Sequence, residues 1–171
     1  MTYRYSFNVP LGTCTVQAKF GQLEELYFDY GRYLPEDGPD IKAENEKPTN
    51  LVNIFQETQT QLLQYFSGQR THFHLPLKMR GTGFQQKVWK VISQIPFGTT
   101  ITYLQETQKV GGENYKAYRA VGSANGCNPF PVIIPCHRVV SSNQAWGGFS
   151  NDLAMKKELI LFELLVLESA K

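Results

Sequence analysis

"TTITYLQETQKVGGENYKAYRAVGSANG", residues 99–126, is the stretch whose reading decides the architecture of the second half of the chain. Two short helix-compatible runs flank Gly111-Gly112, and Thr102 followed three residues later by Gln105 forms a capping box that predicts where the first helix starts. Asn114 is the candidate cap of the second. Two short helices joined through a glycine turn are the pattern of a helix-turn-helix, a pattern that any helical hairpin shares. The second helix, "YRAVGSANG", has an unusual composition. Ala120, Gly122, Ser123 and Ala124 are too small to build a core, and Arg119 stands among them as a lone long cation. Such a surface suits either close approach to a bulky partner or close packing against another helix.

The segments on either side extend this reading. Upstream, "GTGFQQKVWKVI" pairs Thr82 with Gln85 in a second capping box and spaces Phe84, Val88, Val91 and Ile92 along one helical face, predicting a helix over 84–94 that Pro96 and Gly98 end. Downstream, "NDLAMKKELILFELLVLE" predicts a C-terminal helix capped by Asp152, with Leu153, Ile160, Leu164 and Leu167 facing inward. The first forty residues differ in kind. "YRYSFNV", "TCTVQAKF" and "LEELYFDY" are rich in β-branched and aromatic residues and are separated by turn signals, so they predict an antiparallel meander. Residues 35–49 are acidic and hold three prolines, which marks a loop. Leu51, Ile54, Phe55, Leu62 and Phe66 then fall near helical spacing, with Gly68 as the stop, and "THFHLPL" predicts a short strand with His72 and His74 on one face. Two domains follow: an α+β domain over 1–79 and a mainly helical one over 80–171.

Composition limits the class. The three cysteines, Cys14, Cys127 and Cys136, cannot all pair and show no regular spacing, so a reducing compartment is expected. The N-terminal residues lack a basic segment followed by an apolar one, and "LILFELLVL" is interrupted by Glu163 and far shorter than the roughly 20 residues of a membrane span. A soluble, cytoplasmic protein with no membrane partner is expected. Residues 1–79 carry 7 Lys and Arg against 9 Asp and Glu, whereas residues 80–171 carry 10 against 6, so the second half is the one suited to a polyanion. Chance variation in surface charge gives the same imbalance.

"VIIPCHRVV", residues 132–140, carries the candidate chemistry. Cys136 has three readings: a buried inert thiol, a metal ligand or a nucleophile. The cysteines and histidines lack the spacing of a metal site. Pro129, Pro131 and Pro135 hold the backbone around the cysteine in a fixed extended path. A free thiol with a pKa near about 8.5 needs a neighbouring base or cation to react at neutral pH. His137 can supply the base, directly or through a water. Glu163, the acid inside the apolar run, is the candidate carboxylate to orient it, unless it lies on the exposed edge of its helix.

"RAVGSANGCNPFPVIIPCHRVV", together with "GTGFQQKVW", "IPFGTTITY" and "WGGFSNDLAMKKELILFE" in the same order, resembles the O6-alkylguanine-DNA alkyltransferases, also called methylated-DNA–protein-cysteine methyltransferases. The resemblance runs from about residue 81 to 163. It implies a ribonuclease-H-like α+β domain followed by a winged helix-turn-helix domain that enters the minor groove of double-stranded DNA bearing alkylated bases. It implies DNA repair by direct reversal: Cys136 accepts the alkyl group from O6-alkylguanine, possible O4-alkylthymine included, and the protein is consumed in one turnover. His137 and Glu163 then serve the thiol, and Asn128 ties the active-site turn to them. Arg119 would be the finger that fills the gap left by the flipped nucleotide, and Thr102, Tyr103, Ala120 and Gly122 would meet the DNA. Flipping costs a few kcal/mol, least at a lesion that pairs badly. Val139, Trp146, Gly147, Phe149 and Ser150, with Tyr103, would line the base pocket. Phe149 stands where the family usually has tyrosine and removes a phenolic donor. The resemblance implies a monomer without cofactor or metal, acting at the nucleoid or, in a eukaryotic cell, in the nucleus. Competing readings are a turnover cysteine hydrolase, a lesion-binding protein without transfer, which in that class has tryptophan for the cysteine, and a plain DNA-binding regulator.

Overall fold

The computed structural model describes residues 2–29, 49–143 and 153–171. The predicted loop over 35–49, apart from its last residue, and the cap at Asp152 lie outside them. The chain divides into two compact units, Met1–Arg80 and Gly81–Lys171.

The first unit opens with strands β1 (Tyr3–Val9), β2 (Gly12–Lys19) and β3 (Gln22–Phe28), an antiparallel meander in the order β1-β2-β3. The β2–β3 connection is a two-residue turn, Phe20-Gly21, in which both residues have positive φ (51° and 74°). That geometry matches the right-handed twist of the flanking strands. Cys14, Val16 and Ala18 alternate along one face of β2 and are fully buried. Helix α1 (Thr49–Phe66) packs on this face with Leu51, Ile54, Phe55, Leu62 and Tyr65. Tyr65 takes the inward position predicted for Phe66, which is only half-buried. Gly68, with φ 77°, follows the last turn.

Residues 71–77 do not form the predicted strand. The buried Gln61 side chain accepts from His74 N–H at 2.8 Å and donates to His74 C=O at 3.0 Å, occupying both backbone groups a ladder would need. Only Leu77 pairs with the sheet, as an isolated bridge to Leu23. His72 and His74 are exposed.

The second unit begins with α2 (Gly83–Ile92), started by the predicted capping box of Thr82 and Gln85. Val88, Trp89 and Ile92 are buried, and Trp89 Nε1 donates to Ala124 C=O at 2.8 Å. Strand β4 (Ile101–Thr102) leads into α3 (Tyr103–Gly111), whose start is the second predicted capping box. Gly112, with φ 96°, ends it, and α4 (Tyr118–Gly126) follows. The helix-turn-helix is therefore present, with one correction. Ala117, not Asn114, is the N-cap of α4 and makes no side-chain cap bond.

A single 3-10 turn over Cys136–Arg138 runs into β5 (Val139–Val140), which pairs in parallel with β4. Helix α5 (Leu153–Ser169) closes the unit. Its inward face is Met155, Lys156, Leu159, Ile160 and Glu163. Ile160 was expected there, whereas Leu153, Leu164 and Leu167 are 43%, 45% and 40% exposed. The helix is apolar nearly all round, so apolar spacing cannot point to one face. No helix among the described residues is long and apolar enough to cross a membrane.

Candidate active site

The segment that carries Cys136 begins at the end of α4. Asn128 Nδ2 donates to Ile134 C=O at 2.7 Å and to Cys136 Sγ at 3.1 Å, while its Oδ1 accepts from Phe130 N–H at 2.9 Å. One side chain thus fixes three points of the proline-rich segment. Within it, Val132 has φ 72°, an unusual conformation for a β-branched residue. Pro135 (φ −82°, ψ 63°) makes an inverse γ-turn closed by Cys136 N–H to Ile134 C=O at 2.8 Å. This turn delivers Cys136 at the head of the 3-10 turn, 6% exposed. Burial pushes its thiol up to about 11, opposed by the Asn128 hydrogen bond and the Lys156 charge. At neutral pH it is a protonated thiol that needs a base.

His137, fully buried, bonds Glu163 Oε1 through Nε2 at 2.8 Å. Glu163 is also held by Arg138, whose Nε reaches its two oxygens at 3.2 and 3.0 Å and whose Nη2 reaches Oε1 at 2.8 Å. Gly98 N–H donates to Oε2 at 2.9 Å. Gly98 has φ 71°, and a Cβ there would strike the Leu167 side chain, so both backbone and space call for glycine. Burial by itself would raise the Glu163 pKa, but the hydrogen bonds from His137 and Arg138 outweigh it and bring it down to about 2. Glu163 is therefore ionised and acceptor-only, which makes His137 Nε2 the donor. Burial lowers the His137 pKa despite that carboxylate, and Arg138 and Lys156 lower it further. The imidazole is neutral, so Nδ1 keeps its lone pair. Nδ1 is buried and has no hydrogen-bond partner among the described residues. A neutral imidazole with an unspent lone pair, next in sequence to a protonated thiol, is equipped for general-base chemistry.

The helix-turn-helix residues lie at the surface of the same unit. Arg119 and Ala120 are exposed. Among the described residues, a Cβ added at Gly122 would meet nothing within 4 Å, so no described helix packs there. Ala124 alone of the small residues is buried, 2% exposed, against Trp89. Of the two readings of the small residues, close helix packing holds for Ala124 and open surface for Ala120 and Gly122. Thr102 caps α3, and Tyr103, half-buried, has Lys156 Nζ 5.5 Å from its ring centroid. The β4–β5 pairing of Ile101 with Val139 and Thr102 with Val140 joins the start of α3 to the segment after Cys136, with Val139 fully buried. Trp146, Gly147, Phe149 and Ser150 lie outside the described residues.

Residues 1–79 match the ribonuclease-like domain of 6-O-methylguanine DNA methyltransferase, and residues 83–164 match the DNA binding domain of the same family. The constitutive methylated-DNA–protein-cysteine methyltransferase of Bacillus subtilis (strain 168) is 34% identical over 161 residues, 94% of each chain. The chain belongs to the 6-O-methylguanine DNA methyltransferase family. The methylated-DNA–protein-cysteine methyltransferase of Methanosarcina acetivorans is 36% identical over 161 residues, 94% of this chain and 97% of the relative. The crystal structure of Mycobacterium tuberculosis OGT in complex with DNA superposes with a TM-score of 0.80 at 32% identity, covering 96% of this chain and 94% of that one. The α+β architecture inferred from sequence is that of these methyltransferases.

Three buried polar residues of the candidate site were not singled out from the sequence. Arg138, 5% exposed, donates Nη1 to Ile95 C=O at 2.6 Å and places its guanidinium 5.6 Å from the Phe97 ring centroid. An arginine inside "CHRVV" was the available signal. Lys156 and Glu106, both fully buried, gave none, because each sits in an ordinary-looking polar stretch.

Proposed function

We propose that the protein repairs DNA by moving the alkyl group of O6-alkylguanine, irreversibly and once, onto Cys136. The observation that carries this reading is the neutral His137, anchored through Nε2 to an ionised Glu163 with Nδ1 unspent, next in sequence to a thiol held by Asn128. His137 takes the thiol proton, directly or through an intervening water. The thiolate attacks the alkyl carbon in line, an S–C bond forms, the C–O6 bond breaks, and its electron pair stays on guanine. The departing guanine recovers a proton, so atoms and charge balance. A thioether is a poor leaving group, and the product therefore stays on the protein.

The exposed α4 surface fits the DNA role. Ala120 and Gly122 leave room for the backbone of α4 to approach a minor groove closely, and Arg119 is the side chain long enough to enter the base stack from it. Tyr103 and Thr102, at the start of α3, complete the contact surface. The protein acts as a monomer, since one site holds every group named.

Incubation with duplex DNA containing O6-methylguanine, followed by intact mass and peptide mapping, tests the reading. One methyl group per protein on the peptide holding Cys136 is expected, and Cys136→Ala abolishes transfer while retaining DNA binding. Multiple turnovers would instead identify a hydrolase, and no mass change a lesion-binding protein. Arg119→Ala, on an exposed residue, is expected to slow repair in duplex DNA by more than it slows transfer from free O6-benzylguanine. Equal losses on both substrates would reject the finger role.

A further inference from the structure

Behind the acceptor lies a second set of buried polar groups that the proton path above leaves unused. Glu106, three residues after Tyr103 on α3, is fully buried. Asn125 of α4 donates to its Oε2 at 2.8 Å. The remaining oxygen, Glu106 Oε1, and Asn125 Oδ1 are both buried without a hydrogen-bond partner among the described residues. With Glu106 ionised both are acceptors, so the pair is one donor short, and a proton on Glu106 supplies the missing donor. The cation of the cluster is Lys156, fully buried on α5 with its Nζ 5.5 Å from the Tyr103 ring centroid.

Asn125 of α4 is hydrogen-bonded to Glu106, and three titratable groups are coupled to its charge: Tyr103 on its own helix, Lys156 on α5 and Cys136 on the 3-10 turn. Burial raises Glu106 to about 7, and the Asn125 bond and the Lys156 charge hold it back from going higher. Burial lowers Lys156 to about 8, while Cys136 and Glu106 oppose that fall. Glu106 thus ionises over the range in which Lys156 is in danger of losing its charge. A carboxylate there keeps the ammonium protonated.

We propose that Glu106 is a positioning residue of the acceptor site, holding Lys156 as the ammonium that steadies the Cys136 thiolate. The proposal rests on the reading of Cys136 as the alkyl acceptor. Glu106 also repels the thiolate directly, and the two influences oppose each other. The Lys156 charge acts on Cys136 more strongly than the Glu106 charge does, so loss of the cation outweighs relief of the repulsion.

Labelling of Cys136 with iodoacetamide, read by mass on its peptide, reports thiolate supply without any damaged base. A failure of base repair and a failure of this proposal are therefore separate results. Wild type and Glu106→Gln are expected to label at equal rates near about pH 6, where Glu106 is itself protonated. Near about pH 8 the variant is expected to be slower by about three- to tenfold, the equivalent of half to one pKa unit. In a Lys156→Met background the direct repulsion alone is left, so Glu106→Gln is expected to lose its slowing effect and to label Cys136 at least as fast as Lys156→Met alone. Parallel profiles for wild type and Glu106→Gln, or an effect that survives Lys156→Met unchanged, would overturn the proposal. A lower melting temperature with an unchanged profile shape assigns Glu106 a merely structural role and overturns it too. If Glu106→Gln does not fold, carbon-13 NMR of the wild-type carboxyl decides. A midpoint near 7 that rises in Lys156→Met supports the proposal, and a midpoint near 4.5 sinks it.

Discussion

Glu163 and Glu106 are both buried in the helix-turn-helix unit, and their acidities move in opposite directions, to about 2 and about 7. Burial penalises the charge of each. What differs is the supply of donors. Glu163 accepts from His137, from the Arg138 fork and from the Gly98 amide, whereas among the described residues Glu106 accepts from Asn125 and has an oxygen left over. A buried carboxylate with several donors is a fixed anion, and one with a single neutral donor is a titrating group. The first suits orienting a base that must stay neutral at rest and turn cationic in the reaction. The second suits a site whose charge follows pH near neutrality.

The comparison breaks most sharply at Glu163→Gln. The amide can still accept from His137, but Arg138 is left as a buried charge without its counter-ion, a loss of about 3–5 kcal/mol. Urea denaturation of wild type and variant measures it, with alkyl transfer falling alongside as the imidazolium loses its anion. The folded-state pKa of Glu163 is depressed, so its stabilisation is complete above the ordinary value of 4.5 and is lost as pH falls toward about 2. The wild type therefore loses stability through that acid window and the variant does so less. A variant within about 0.5 kcal/mol of wild type at neutral pH would show that Glu163 is not the counter-ion of Arg138.

These two carboxylates also mark where the sequence was legible. The capping boxes at Thr82 and Thr102 were readable because donor and acceptor lie three residues apart. Glu163 stood out as an acid in an apolar run, and "PCH" flanked by prolines advertised a constrained thiol. Lys156 gave no signal, and the arginine of "CHRVV" gave its place but not its partner, because that partner is chosen by tertiary packing: Arg138 meets Glu163 25 positions away. The strand expected at 71–77 failed for the same reason, since Gln61, 13 positions before His74, takes its backbone bonds. On α5 the periodic signal itself was missing. With leucines on every side, the helix buried Met155, Lys156 and Leu159 and left Leu164 and Leu167 half out in solvent.

The smallest expected effect sharpens the comparison at Glu106. Its folded pKa is raised, so the folded protein keeps a proton that the unfolded chain releases between the ordinary 4.5 and about 7. The unfolded state binds fewer protons in that window, and stability falls as pH rises through it. Glu106→Gln carries no such proton. Relative to wild type, it is expected to be nearly unchanged near about pH 4.5 and to gain about 3 kcal/mol at most by about pH 7, measured as the difference between two urea-denaturation series. The slope has the opposite sign from that of Glu163, and the two windows meet near 4.5 without overlapping. A variant whose stability tracks the wild type at every pH would mean that Glu106 finds its missing donor and is a second fixed anion. The contrast between the two glutamates would then be one of position alone.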